Sequence, residues 1–121
     1  MQIEKLFKEE TGFEIKETRY LKPPKLPYFL FTNKKNYKGA DLIINLVENN
    51  ITIERYSETN NDKDLEDCSR VKDFLDRNHY EYDIDGPEWL SDEKLYATFW
   101  ILNPILEKIR KEDNYYERKK N

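Results

Sequence analysis

The run Lys94-Leu95-Tyr96-Ala97-Thr98-Phe99-Trp100-Ile101-Leu102 constrains the fold more than any other stretch of the chain. Successive side chains of a strand point to opposite faces, so Leu95, Ala97, Phe99 and Ile101 face one way while Tyr96, Thr98 and Trp100 face the other. Both faces carry apolar groups and both need cover, which predicts an interior strand of a sheet. The apolar material available to cover them is modest. Of the 121 residues 37% are hydrophobic and 38% charged, but 14% are aromatic, and each buried aromatic ring removes about 150–250 Å² from water. That is enough for one domain core and excludes a second.

Further elements follow from periodicity. Ile3, Leu6 and Phe7 lie on one helical stripe that Gly12 is placed to end, and Phe13-Glu14-Ile15-Lys16-Glu17 alternates as a half-buried strand does. Pro23, Pro24 and Pro27 make a stiff connector into Tyr28-Phe29-Leu30-Phe31-Thr32, an aromatic strand. Residues 33–41 are polar and basic and read as a loop hinged at Gly39. Two β-like runs, 42–47 and 51–56, flank Glu48-Asn49-Asn50, where Asn49 and Asn50 fit either a hairpin turn or a bulge in one long strand. Leu65, Cys68, Val71 or Lys72, and Leu75 recur at helical spacing after an N-cap at Asn61 or Asp62, and this helix ends near Asn78. Tyr80-Glu81-Tyr82-Asp83-Ile84 alternates as a strand before a turn at Asp85-Gly86-Pro87. After the interior strand, Pro104 is a stop, and Ile105, Leu106 and Ile109 suggest a closing helix. The sum is an α+β domain over residues 1–112, with a mainly antiparallel sheet of about four strands packed with helices, and a charged tail at 113–121. Its predicted sheet core holds Phe29, Phe31, Ile53, Phe99 and Ile101.

Reactive groups are sparse. Asp62, Asp64, Glu66 and Asp67 could hold a hard cation, but a segment with Asp67 at the glycine position of an EF-hand loop reads better as acids placed at a helix start by its dipole. Glu81, Asp83, Asp85 and Glu88 alternate as a solvated strand face does. His79 is the sole histidine and lies where a helix C-terminus favours it, and Cys68, the sole cysteine, falls on the predicted buried helix face as a small hydrophobe. Isolated Gly12, Gly39 and Gly86 form no phosphate-binding loop. With neither a nucleophile set nor a cofactor loop, the expectation is a non-enzymatic protein without cofactor or metal.

Lys+Arg 21 against Asp+Glu 25 leaves a net charge of -4, which supplies no general attraction to nucleic acid or anionic membrane. No apolar run reaches the roughly 20 residues of a membrane span, and the N-terminal residues do not compose a secretory signal, so a cytoplasmic protein is expected. One local exception to the acidity is Lys34-Lys35-Asn36-Tyr37-Lys38, whose cations and aromatic ring suit either single-stranded nucleic acid or a protein interface. Lys35, Tyr37, Lys38, Gly39 and Asp41 are the candidate interface residues.

Five pieces taken together, Lys22-Pro23-Pro24, Pro27-Tyr28-Phe29-Leu30-Phe31, Gly39-Ala40-Asp41, Ile53-Glu54-Arg55-Tyr56-Ser57-Glu58 and Ser91-Asp92-Glu93-Lys94-Leu95-Tyr96, resemble a family of small phage and prophage proteins. These are head-to-tail joining or tail-terminator-like proteins of long-tailed phages, found among prophages of Gram-positive bacteria. The similar pattern covers residues 22–102, and the segment from Pro104 onward lies outside it. The resemblance implies a tail-terminator-like α+β subunit with no enzymatic activity. It also implies assembly into rings, contacts with tail-tube or connector proteins, and a path from the bacterial cytoplasm into the virion tail or neck. A small nucleic-acid-binding or nuclease-associated protein is the alternative reading of the basic segment and the acidic strand.

Overall fold

A computed structural model describes residues 2–39 and 46–108. Its order is α1 (Ile3–Thr11), β1 (Ile15–Glu17), β2 (Tyr28–Lys38), β3 (Leu46–Ser57), α2 (Asp62–Arg77), β4 (Tyr82–Leu90), β5 (Leu95–Leu102) and β6 (Ile105–Lys108). The strands form one six-stranded sheet ordered β1-β2-β3-β5-β4, with β6 beside β3. β1 runs parallel to β2, and the other pairings are antiparallel. The expectation of about four mainly antiparallel strands is therefore corrected to a six-stranded mixed sheet with two helices. β1, whose own alternation reads as a strand, adds a parallel pairing to β2, and β6 is a short segment whose strand character comes from its distant partner β3 and not from its own periodicity.

α1 buries Ile3, Phe7 and Thr11 and ends at Gly12, whose φ of 82° and N–H donation to the Lys8 carbonyl make a left-handed cap. α2 starts at Asn61, whose side chain accepts from the backbone of Lys63 and Asp64 while Asp64 accepts from the Asn61 N–H, a reciprocal capping box. Its buried stripe is Asp64, Asp67, Val71, Phe74 and Leu75. Leu65, placed inside by its spacing, is 60% exposed. The helix is rotated from the apolar reading because two acids, with no hydrophobic signal of their own, have a charged partner in the sheet.

The predicted loop at residues 33–41 is a strand as far as Lys38. β2 and β3 pair in one unbroken register from Tyr28↔Tyr56 to Lys38↔Leu46, so Asn49 and Asn50 make neither a hairpin nor a bulge there. The asparagines strengthen the ladder: Asn33 donates to Asn49 Oδ1 at 2.8 Å, Asn50 Nδ2 donates to the Lys34 carbonyl at 2.9 Å, and Asn49, fully buried, donates to the Ile105 carbonyl at 3.3 Å. Leu42 to Asn45, the start of the first β-like run, and the tail boundary at 112/113 lie outside the described residues.

Two further corrections are β-bulges. At Asp85-Gly86-Pro87 the chain does not turn. Two residues of β4, Gly86 and Pro87, oppose Thr98 alone, and the strand continues to Leu90. Gly86 has φ 105°, and a Cβ there would stand 2.5 Å from the Ala97 carbonyl oxygen, so no other residue fits. Between β5 and β6, three residues (Leu102, Asn103 and Pro104) oppose two of β3 (Asn50 and Ile51). Pro104 interrupts the ladder without ending it, and Ile105 to Lys108 resume as a strand where a closing helix was expected.

The helices cover one face of the sheet. Along β3 the odd positions Val47, Asn49, Ile51, Ile53, Arg55 and Ser57 are all buried, and Phe29, Phe31, Trp100 and Leu102 join them around Phe7, Val71, Phe74 and Leu75. Phe7 contacts Phe29 and Phe74 edge-on at centroid distances of 5.3 and 5.2 Å. Phe29, Phe31 and Ile53 are in the core as expected. Phe99 and Ile101 are not: they lie on the opposite face, where Phe99 is half-buried and Ile101 is 44% exposed. Trp100 is the β5 residue that fills the core.

Candidate interaction surface

Cross-strand partners share a face, so the register identifies the side of the sheet that neither helix covers. β2 contributes Tyr28, Leu30, Thr32, Lys34, Asn36 and Lys38, and β3 contributes Leu46, Glu48, Asn50, Thr52, Glu54 and Tyr56. From β5 come Ala97, Phe99 and Ile101, and from β4 Asp83, Asp85 and Glu88. A row of rings crosses the sheet. Tyr20 meets Tyr28 at 5.7 Å, Tyr28 meets Tyr56 at 5.4 Å and Tyr56 meets Phe99 at 6.5 Å. The Tyr56 hydroxyl donates to Glu54 Oε1. Burial and that hydrogen bond push the phenol above its ordinary range, so it stays a neutral donor at physiological pH.

Charge on this face is sorted by position. Lys34 and Lys38 are on β2 and Asp83, Asp85 and Glu88 are on β4, all exposed. Three strand spacings, roughly 14 Å at about 4.8 Å each, separate the two columns. This exceeds the screening length of roughly 8 Å at physiological salt, so neither column neutralises the other within one molecule. Both columns lie on open strand edges. β1 pairs only with Phe29, Leu30 and Phe31, which leaves the outer edge of β2 beyond Thr32 without a neighbouring strand, and none lies outside β4, among the described residues.

The predicted interface residues divide. Lys35, Tyr37 and Lys38 are exposed and end β2, with Gly39 exposed just after them. Alternation puts Lys35 and Tyr37 on one face and Lys38 on the other, where Lys38 Nζ is 3.9 Å from Glu48. They therefore do not form one patch, and Asp41 lies outside the described residues. The sequence places Lys34 in the basic segment and the β4 acids on a solvated strand face, but it does not join them with the ring row on one face. The alternation of Asp83 and Asp85 was the available signal, and it becomes informative only once β4 is known to be an edge.

The acids at the start of α2 have a structural task. Arg55 Nη2 donates to Asp64 Oδ1 at 2.9 Å and Asp67 Oδ2 at 2.8 Å, with all three side chains buried. Asp64 also accepts from Ser57 Oγ at 2.8 Å, Thr59 Oγ1 at 2.6 Å and the Asn61 N–H at 2.9 Å. Burial opposes the charge on Asp64, but the hydrogen bonds from Thr59, Asn61, Ser57 and Arg55 prevail and hold its carboxyl well below the usual range. Among the described residues no group of three His, Cys, Asp or Glu side chains is placed to hold a metal ion. Cys68 is half-buried with its thiol pushed up by burial, which suppresses the reactive thiolate. His79 is exposed just past α2 in left-handed backbone, φ 60°, its N–H donating to the Asp76 carbonyl at 3.1 Å. Among the described residues no helix is long and apolar enough to cross a membrane.

Comparison with known proteins adds no relative: no family model matches the chain, and no curated protein matches it.

Proposed function

We propose that this chain is a non-enzymatic assembly protein, a tail terminator or head-to-tail joining component of a long-tailed phage or prophage, acting through contacts with its own copies and with tail-tube or connector proteins. The observation that carries the reading is the sheet face that neither helix covers, with a row of rings that ends beside the β4 acids and with Lys34 and Lys38 farther along β2 from Tyr28. Half-exposed aromatic rings bordered by charge suit an interface, where Tyr and Phe supply contact area and the charged margin supplies orientation. The resemblance of residues 22–102 to tail-terminator-like proteins supplies the biological setting.

The test is co-sedimentation with polymerised tail-tube protein encoded near this chain's gene. Capping in substoichiometric amount, visible as density at one end of negatively stained tubes, is the expected result. Absence of tail genes from that neighbourhood, or tubes that leave the protein in the supernatant, overturns the reading. A salt-sensitive mobility shift with single-stranded DNA in its place favours the basic segment as a nucleic-acid contact.

A further inference from the structure

Two edges of opposite sign on one sheet, each without a neighbouring strand among the described residues, limit how copies can meet. Lys34 and Lys38 line the outer edge of β2, and Asp83 and Asp85 line β4, on the same face of the sheet. Like charges repel when β2 meets β2 or β4 meets β4, which is how charged edges ordinarily block pairing. The combination of β2 with β4 is the one these charges favour, so they select a heterologous junction over an isologous one. Strand direction agrees. β4 is antiparallel to β5, β5 to β3 and β3 to β2, so β4 runs antiparallel to β2. A neighbour placed in the same sheet plane, with the same face forward, therefore presents its β2 antiparallel to β4. In that arrangement Lys34 and Lys38 of one copy and Asp83 and Asp85 of the next project from the same side.

We propose that copies of this chain join edge to edge, the β2 edge at residues 33–38 of one copy pairing with the β4 edge at residues 82–85 of the next. The bulge at Gly86 and Pro87 bounds the pairing segment, because it breaks the regular presentation of β4. A head-to-tail junction of this kind closes into a ring when its rotation permits and otherwise runs on as a filament. The inference rests on the assembly reading and assigns its self-association to particular strands.

Two charge reversals test it, K34E/K38E and D83K/D85K, followed by sedimentation velocity at low and high salt with circular dichroism as the check on folding. Wild type associates at low salt and dissociates as salt rises. Each reversal alone weakens self-association by at least about tenfold in apparent Kd. An equimolar mixture of the two restores it, because the acidic β2 of one variant then meets the basic β4 of the other. A bulk-charge effect cannot mimic this, since one reversal makes the chain more acidic and the other brings it towards neutrality. Wild-type protein that stays monomeric at low salt, reversals that associate as wild type does, or a mixture that restores nothing would each overturn the proposal. Tail-tube capping is scored on the same samples: capping that persists while the edge predictions fail removes this junction and leaves the assembly reading standing.

Discussion

Replacing Arg55 with Met tests the buried ion network that ties β3 to α2. The guanidinium is 3% exposed and faces two carboxylates, each 9% exposed, at 2.9 and 2.8 Å. Met fills much of the aliphatic volume but supplies no donor, so Asp64 and Asp67 lose their shared countercharge in a largely buried site. Removing one partner of a buried pair costs about 3–5 kcal/mol. Domains hold roughly 0.05–0.15 kcal/mol per residue, so the loss is a large fraction of the whole. The assay is urea unfolding followed by circular dichroism, with the slope compared between proteins to keep the denatured state in view. The pH dependence gives a second, independent readout. Asp64 has a depressed folded pKa, so its contribution in wild type is fully present above the unfolded value of about 3.9 and is lost as pH falls through the lower folded value. In the Met variant the Asp64 carboxylate, without its cation, gains by taking up a proton. The gap between the two proteins is therefore wide at pH 7 and narrows towards pH 3. A variant that unfolds at the wild-type urea midpoint at pH 7, or a gap that is constant across that range, refutes the argument.

Three other substitutions separate the layers of the sheet. Gly86→Ala meets both a positive φ and the Ala97 carbonyl oxygen at 2.5 Å, so it destabilises by more than about 1 kcal/mol, read as a fall in melting temperature. Trp100→Ala empties a fully buried site and costs about 3–5 kcal/mol, while Phe99→Ala, on the half-exposed open face, costs under about half of that; equal losses would show the faces are assigned wrongly. Asn49→Leu strands the Asn33 amide and the Ile105 carbonyl, costs about 1–3 kcal/mol, and accelerates amide hydrogen exchange at the distal end of β2 more than elsewhere.

What the sequence discloses is local periodicity, and where periodicity and burial coincide the reading holds. α1 and its Gly12 cap, the Asn61 start of α2, and the buried parity of Phe29, Phe31 and Ile53 are examples. It fails where a segment is held by something distant. Ile105 and Leu106 look helical with their neighbours, but Ile105↔Asn49 and Leu106↔Glu48 pairing with β3 decides their conformation. Residues 33–38 have no apolar alternation, and it is the ladder to β3 with its asparagine side chains that keeps them extended. In β5 both faces carry apolar groups, so periodicity could not say which one the helices cover.

Charge is informative where it falls on a buried face. Arg55 shares its parity with Ile51 and Ile53, so alternation alone puts a guanidinium on the inner face, and a buried cation requires acids opposite it. Asp64, Asp67, Val71, Phe74 and Leu75 are spaced as one helical stripe. Read together, the misplaced base on the strand and the misplaced acids on the helix determine both the rotation of α2 and the strand it crosses. Apart from Lys38, which pairs with Glu48 at 3.9 Å, the charges on β2 and β4 answer no opposite charge in the core. They occupy exposed positions on edges that no strand among the described residues covers, and yet each edge carries one sign over its pairing-competent residues. A requirement for solubility alone would be met by either sign on either edge. Segregation of the signs is what a contact between copies needs, and for that reason the edges, more than the core, carry the functional argument.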